Sequence, residues 1–128
     1  MSDRRKIKVK YSAILFLLFV LGTTAQAADF ETGTYSSTAG GVKYSITFHE
    51  TKKHTVTRGG EVVVEGSYKV TADELELTDE KGRVACRGDQ KSGRYKWKIE
   101  EKKLTLTKAE DGCEGRANAL SGQVWTQE

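Results

Sequence analysis

The amino-acid sequence predicts an all-β fold: a small antiparallel up-and-down barrel of about eight strands, with one short helical turn near the C-terminus. Three observations lead there. Apolar residues recur at every second position in one short segment after another, which is the period of a half-buried strand and not of a helix. The connections between these segments have lengths that keep successive apolar faces on one side. No proline occurs in the 128 residues, so none interrupts a hydrogen-bonded ladder.

The chain opens on a segment of another kind. Arg4, Arg5, Lys6, Lys8 and Lys10 precede an apolar run from Ala13 to Leu21, and Ala25-Gln26-Ala27 follows. A basic start, a short apolar middle and small residues at the cleavage position describe a secretory signal peptide, and the run falls short of the roughly 20 residues of a membrane span. Residues 1–27 are therefore expected to be a leader and residues 28–128 a single domain, periplasmic or secreted. The Arg4-Arg5 pair has only Ile7 as an apolar follower, so general secretion is the expected route. No cysteine near the cleavage position offers a lipid anchor.

The strands come in order. The first opens at Gly33-Thr34-Tyr35, and Val42, Tyr44, Ile46 and Phe48 mark the inward face of the second. Val62 and Val64, then Tyr68 and Val70, Leu75 and Leu77, Tyr95, Trp97 and Ile99, and Leu104 and Leu106 continue the alternation. Residues facing each other on paired strands must point the same way, which tests each turn. A turn over Glu100 to Lys103 sets Ile99 against Leu104 and Trp97 against Leu106. One over Thr71 to Glu74 sets Val70 against Leu75 and Tyr68 against Leu77. One over Asp79 to Gly82 brings Leu77 nearest Val84, so that Cys86 ends the strand preceding Tyr95. At Arg58-Gly59-Gly60-Glu61 a two-residue turn mismatches Val56 with Val63, so a three-residue loop pairing Val56 with Val62 is expected.

Tight connections throughout favour an up-and-down barrel, whose closure also removes exposed edges. Starts of the form Gly33-Thr34-Tyr35, Gly66-Ser67-Tyr68, Gly93-Arg94-Tyr95 and Gly122-Gln123-Val124-Trp125 support it, with glycine bending the strand at a corner and the aromatic covering the core. Between Asp111 and Leu120 the alternation stops. Asp111 there is a candidate N-cap for one or two helical turns, and Arg116 is expected to reach an acidic group or carbonyls at the barrel rim.

Charge and cysteine content bound the function. Of twenty-one basic and eighteen acidic residues the leader takes five and one, so the remainder carries a net charge of −1. No basic stripe for phosphate binding survives, and nucleic acid is excluded as an expected partner. Cys86 and Cys113 are the only cysteines, and in an oxidising compartment a single disulfide is expected, contributing about 3 kcal/mol. Continued antiparallel pairing puts both at one end of the barrel.

Candidate chemistry thins out under the same parity. His49-Glu50-Thr51-Lys52-Lys53-His54 resembles a zinc HExxH motif, but its second histidine comes one residue late and the segment is a hairpin. His49 faces outward and His54 inward, so no metal site is expected. Arg87-Gly88-Asp89 beside Cys86 has the form of an adhesion tripeptide and reads as a solvated loop. No nucleophile elbow, cysteine–histidine pair or phosphate-cradling loop is present. Neither enzymatic activity nor a cofactor is expected.

Gly33-Thr34-Tyr35, the meander of short strands, Tyr95-Lys96-Trp97, the run Asp111-Gly112-Cys113-Glu114-Gly115-Arg116 and Trp125 resemble small secreted bacterial proteins of the lipocalin-like (calycin) group. The resemblance spans residues 28–128 as a pattern. It departs in having Gly-Thr-Tyr where lipocalins have Gly-x-Trp, in its cysteines and in its shorter length. It implies an eight-stranded barrel that holds a small apolar ligand. Tyr44, Phe48, His54, Tyr68, Tyr95 and Trp97 are the inward residues expected to line such a cavity, with Asp111 and Arg116 structural at the rim. The partner is then a small apolar molecule and the protein a monomer. The alternative is a protein-binding barrel, such as a secreted hydrolase inhibitor acting on an extracytoplasmic protein.

Overall fold

A computed structural model describes residues 29–128; the expected leader lies outside the described residues. The chain forms β1 (Gly33–Ala39), β2 (Val42–Phe48), β3 (Lys53–Arg58), β4 (Glu61–Val70), β5 (Glu74–Lys81), β6 (Ser92–Glu100), β7 (Lys103–Glu110), an eight-residue helix α1 (Glu114–Ser121) and β8 (Val124–Gln127). Each strand pairs antiparallel with the next, and β8 returns to β1, which closes an eight-stranded antiparallel barrel. The closing seam is short: Tyr35 faces Gln127 and Ser36 faces Thr126. Among the described residues no helix is long and apolar enough to cross a membrane.

Alternation decides the strands and their faces. Tyr35, Ile46, Phe48, Leu75, Leu104 and Trp125 are at most 1% exposed and meet in one core. The pairings Ile99 with Leu104, Trp97 with Leu106, Val70 with Leu75 and Tyr68 with Leu77 are all present. His54 faces Phe48 from the neighbouring strand and is buried, whereas His49 is exposed and meets Thr55 Oγ1 at 3.0 Å.

The two ends of the barrel are built differently. At one end Phe30 seals the opening, edge-on to Phe48 at 5.0 Å and to Trp97 at 5.2 Å between ring centroids. The Tyr68 hydroxyl donates to the His49 carbonyl at 2.7 Å, and the Tyr35 hydroxyl donates to the Glu31 carbonyl at 2.7 Å. The opposite end carries the turns Gly40-Gly41 and Gly59-Gly60, the segment 82–91, the Cys86–Cys113 disulfide and α1.

Three expected details are corrected. The β3–β4 hairpin turns on two residues, with Gly59 at φ 60° and Gly60 at φ 88°, a primed-turn geometry that glycine adopts without strain. Val56 faces Val64, not Val62, because a register shift between Val56 and Thr57 absorbs the parity mismatch and buries both Val63 and Val64. No strand runs through Val84: β5 continues to Lys81, Leu77 faces Gly93, and 82–91 is a loop with a 3-10 turn at Gly88–Gln90. Val84 is 51% exposed, so its apolar character does not report a strand face. The residue at the N-cap of α1 is Cys113, two positions beyond Asp111. Asp111 instead turns inward, where an arginine holds it.

Candidate functional site

The disulfide end contains a buried network of charges. His54 on β3 faces Gly66 on β4, and Gly66 faces Asp79 on β5, so the three form a row across adjacent strands. Gly66 lacks the side chain that would separate the outer two: a Cβ there would lie 1.9 Å from the Thr78 carbonyl oxygen and 2.8 Å from His54 Cε1. His54 and Asp79 thereby meet across the middle strand, with Nε2 3.7 Å from Oδ1 and side chains 1% and 3% exposed. His54 Nδ1 lies 3.1 Å from the Ser67 carbonyl. Asp79 Oδ2 accepts the Cys86 amide at 2.8 Å.

Asp79 Oδ2 also lies 3.3 Å from Arg116 Nη1. The Arg116 guanidinium grips Asp111 with two bonds of 2.7 Å, from Nε to Oδ2 and from Nη2 to Oδ1, the planar fork geometry that favours arginine over lysine. Its remaining donors reach the Lys91 carbonyl at 2.8 Å and the Gln90 carbonyl at 2.9 Å. Asp111 further accepts the Tyr95 hydroxyl, and the Cys113 amide at 2.9 Å. Gly93 makes room for this pair, since a Cβ there would lie 2.4 Å from the Asp111 carboxylate. The glycines of two Gly-x-Tyr starts therefore leave space for side chains, where a corner bend was expected.

Burial pushes the Asp79 and Asp111 pKa values up, and their polar and charged neighbours more than reverse it. For Asp79 the opposing groups are the His54 ring, the Cys86 amide and the Arg116 charge, which hold it below the usual carboxylate value. For Asp111 they are Arg116, the Tyr95 hydroxyl and the Cys113 amide. Burial, then the Asp111 carboxylate, drives the Tyr95 hydroxyl far above its ordinary value. Burial lowers the Arg116 pKa, and the hydrogen bond and charge of Asp111 with the charge of Asp79 outweigh it, so the guanidinium stays charged.

Above this network lies a cavity of about 280 Å³ between the barrel wall and α1. Ile46, Val56, Val63, Val64, Leu120 and Trp125 give it apolar walls. His54, Asp79 and Arg116 supply its polar lining, and Tyr44 and Arg58, the latter exposed, complete it, with the guanidinium 5.9 Å from the Tyr44 ring centroid.

The residues expected to line a ligand site separate into two groups. Tyr44 and His54 line the cavity. Phe48, Tyr68 and Trp97 pack with Phe30 at the opposite end, and Tyr95 is fully buried in the core with its hydroxyl on Asp111. Asp111 and Arg116 stand together at the disulfide end, and Cys86 and Cys113 are bonded. Arg87 and Asp89 are exposed on the 82–91 loop.

Sequence reasoning missed Asp79, Val63 and Trp125 as site residues. Asp79 had a readable signal: it follows Leu75 and Leu77 at the inward spacing, a carboxylate where an apolar residue belongs. Val63 had none, because its burial depends on the bulge. Compared with known families, characterised proteins and solved structures, the chain gives no match.

Proposed function

We propose that this chain is an exported binding protein, lipocalin-like in design, that carries a small and mainly apolar ligand without chemically changing it. The observation that supports this reading is the apolar cavity at the disulfide end, whose roughly 280 Å³ approaches the lower range of small-molecule sites. Its walls are mainly aliphatic and aromatic, so a ligand gains chiefly from leaving water. The single disulfide and the leader pattern support an oxidising, extracytoplasmic setting. A protein-inhibitor reading would instead place recognition on an exposed surface, and a concave volume roofed by a helix favours a small molecule.

Trp125 lines the cavity and Trp97 lies at the far end, so a Trp97→Phe chain carries one reporter. Titration with small apolar compounds should change Trp125 emission with a saturable profile at one ligand per chain. Ala119→Phe, which adds a ring to the cavity wall from α1, should abolish the response while the unfolding midpoint stays near its starting value. Linear, unsaturable quenching would remove the reading.

A further inference from the structure

We infer that the cavity selects a ligand whose buried end carries a neutral hydroxyl group, seated between His54 and Asp79. This rests on the binding reading above and names its ligand class. The polar atoms at the cavity floor decide it. Arg116 has no donor left, since all five of its N–H groups face Asp111, Asp79, Gln90 or Lys91. Asp79 Oδ2 is taken by the Cys86 amide and Arg116. What remains is His54 Nε2 and Asp79 Oδ1, separated by 3.7 Å. That distance is too long for a direct hydrogen bond and short enough for one oxygen to reach both atoms.

Both side chains are at least nine-tenths buried and both line the cavity, so neither unmet group has bulk water to satisfy it. The two ring nitrogens of His54 face only acceptors, the Ser67 carbonyl and the Asp79 carboxylate, and an Nε2–H aimed at Asp79 finds no acceptor within direct hydrogen-bond distance. A ligand hydroxyl completes the set: its oxygen accepts from His54 Nε2–H and its proton goes toward Asp79 Oδ1. A carboxylate head has no proton to donate and sets a further negative charge beside Asp79. An ammonium head offers no acceptor to His54. A hydrocarbon leaves the gap unbridged.

The test is a matched six-carbon series of hexanol, hexane, hexylamine and hexanoate, titrated into the Trp97→Phe chain with its disulfide intact. Hexanol should bind about tenfold more tightly than hexane, the effect of a buried hydrogen-bonding pair, and more tightly than either charged analogue. His54→Phe should bind hexane still and lose the preference for hexanol. If that variant does not fold, the ranking in the Trp97→Phe chain decides alone. Equal affinity for hexanol and hexane, a charged analogue binding best, or a preference that survives His54→Phe would overturn the inference and leave the binding reading standing. Saturation by none of the four would overturn both.

Discussion

Arg116 aims every N–H it has at a carboxylate or a backbone carbonyl, and its side chain is 7% exposed against an Asp111 side chain at 0%. Removing it in Arg116→Met would leave the Asp79 and Asp111 carboxylates buried without their guanidinium partner, which costs about 3–5 kcal/mol in such settings. The urea midpoint should fall accordingly, and Arg116→Met with Asp111→Leu should recover part of the loss. Arg94 offers the contrast. It pairs with Glu74 at 3.1 Å and with Glu110 on the water-facing side of the sheet, and Arg94→Ala should leave the midpoint unmoved within error. Gly66 matters as much as any charged residue. The clash of a Cβ with the Thr78 carbonyl oxygen is with backbone, which no rotamer change relieves, so Gly66→Ala should cost about 3 kcal/mol or more and separate His54 from Asp79.

At the level of elements, α1 is the piece least able to stand alone. Eight residues are too few for an isolated helix in water, and only Ala117 and Leu120 of it are buried. It is held by Cys113 at its N-cap, by Arg116, and by Leu120, whose carbonyl accepts the Trp125 indole N–H at 3.1 Å. Leu120→Ala should destabilise the protein by about 2–5 kcal/mol and enlarge the cavity, allowing longer ligands to saturate the Trp125 signal. Reducing the Cys86–Cys113 bond, which links residues 27 apart, should cost about 3 kcal/mol. Amide exchange should then show α1 and 82–91 opening before the strands do, and uniform protection after reduction would contradict this.

For the whole molecule the buried ionisable groups set the pH range of the fold. Asp79 and Asp111 lie below their ordinary values when folded, so the folded state binds fewer protons than the unfolded chain in acid. Their contribution is complete above the unfolded carboxylate pKa of about 4 and is lost as pH falls through the lower folded values. Tyr35 is pushed up to about 12 by burial and then by the Glu31 charge, and Tyr95 rises further. Their contribution is complete below about pH 10 and is lost as pH rises toward the folded values. The thermal midpoint should therefore decline on the acid side of about pH 4 and on the alkaline side of about pH 10. A midpoint that rises below pH 4 would contradict the burial of these two aspartates in their charged form.

Strand identity, strand faces and most hairpin registers were legible in the sequence, because they depend on residues two apart along one chain and on the parity of short turns. Trp97 opposite Leu106 and His54 turned inward follow from that local rule. The rule failed where one extra residue shifts the count, as at Val63 beside the bulge, and where apolar character has no strand behind it, as at Val84. It also could not separate the inward rings that plug one end from those that border a cavity at the other, since both share the same period. That division depends on Phe30, the helix and the disulfide, which join from distant parts of the chain. The row His54, Gly66 and Asp79 was decided by tertiary structure for the same reason. Its three members come from three strands, and only closure of the sheet carries a histidine past a glycine to an aspartate that local alternation treats as one more inward position.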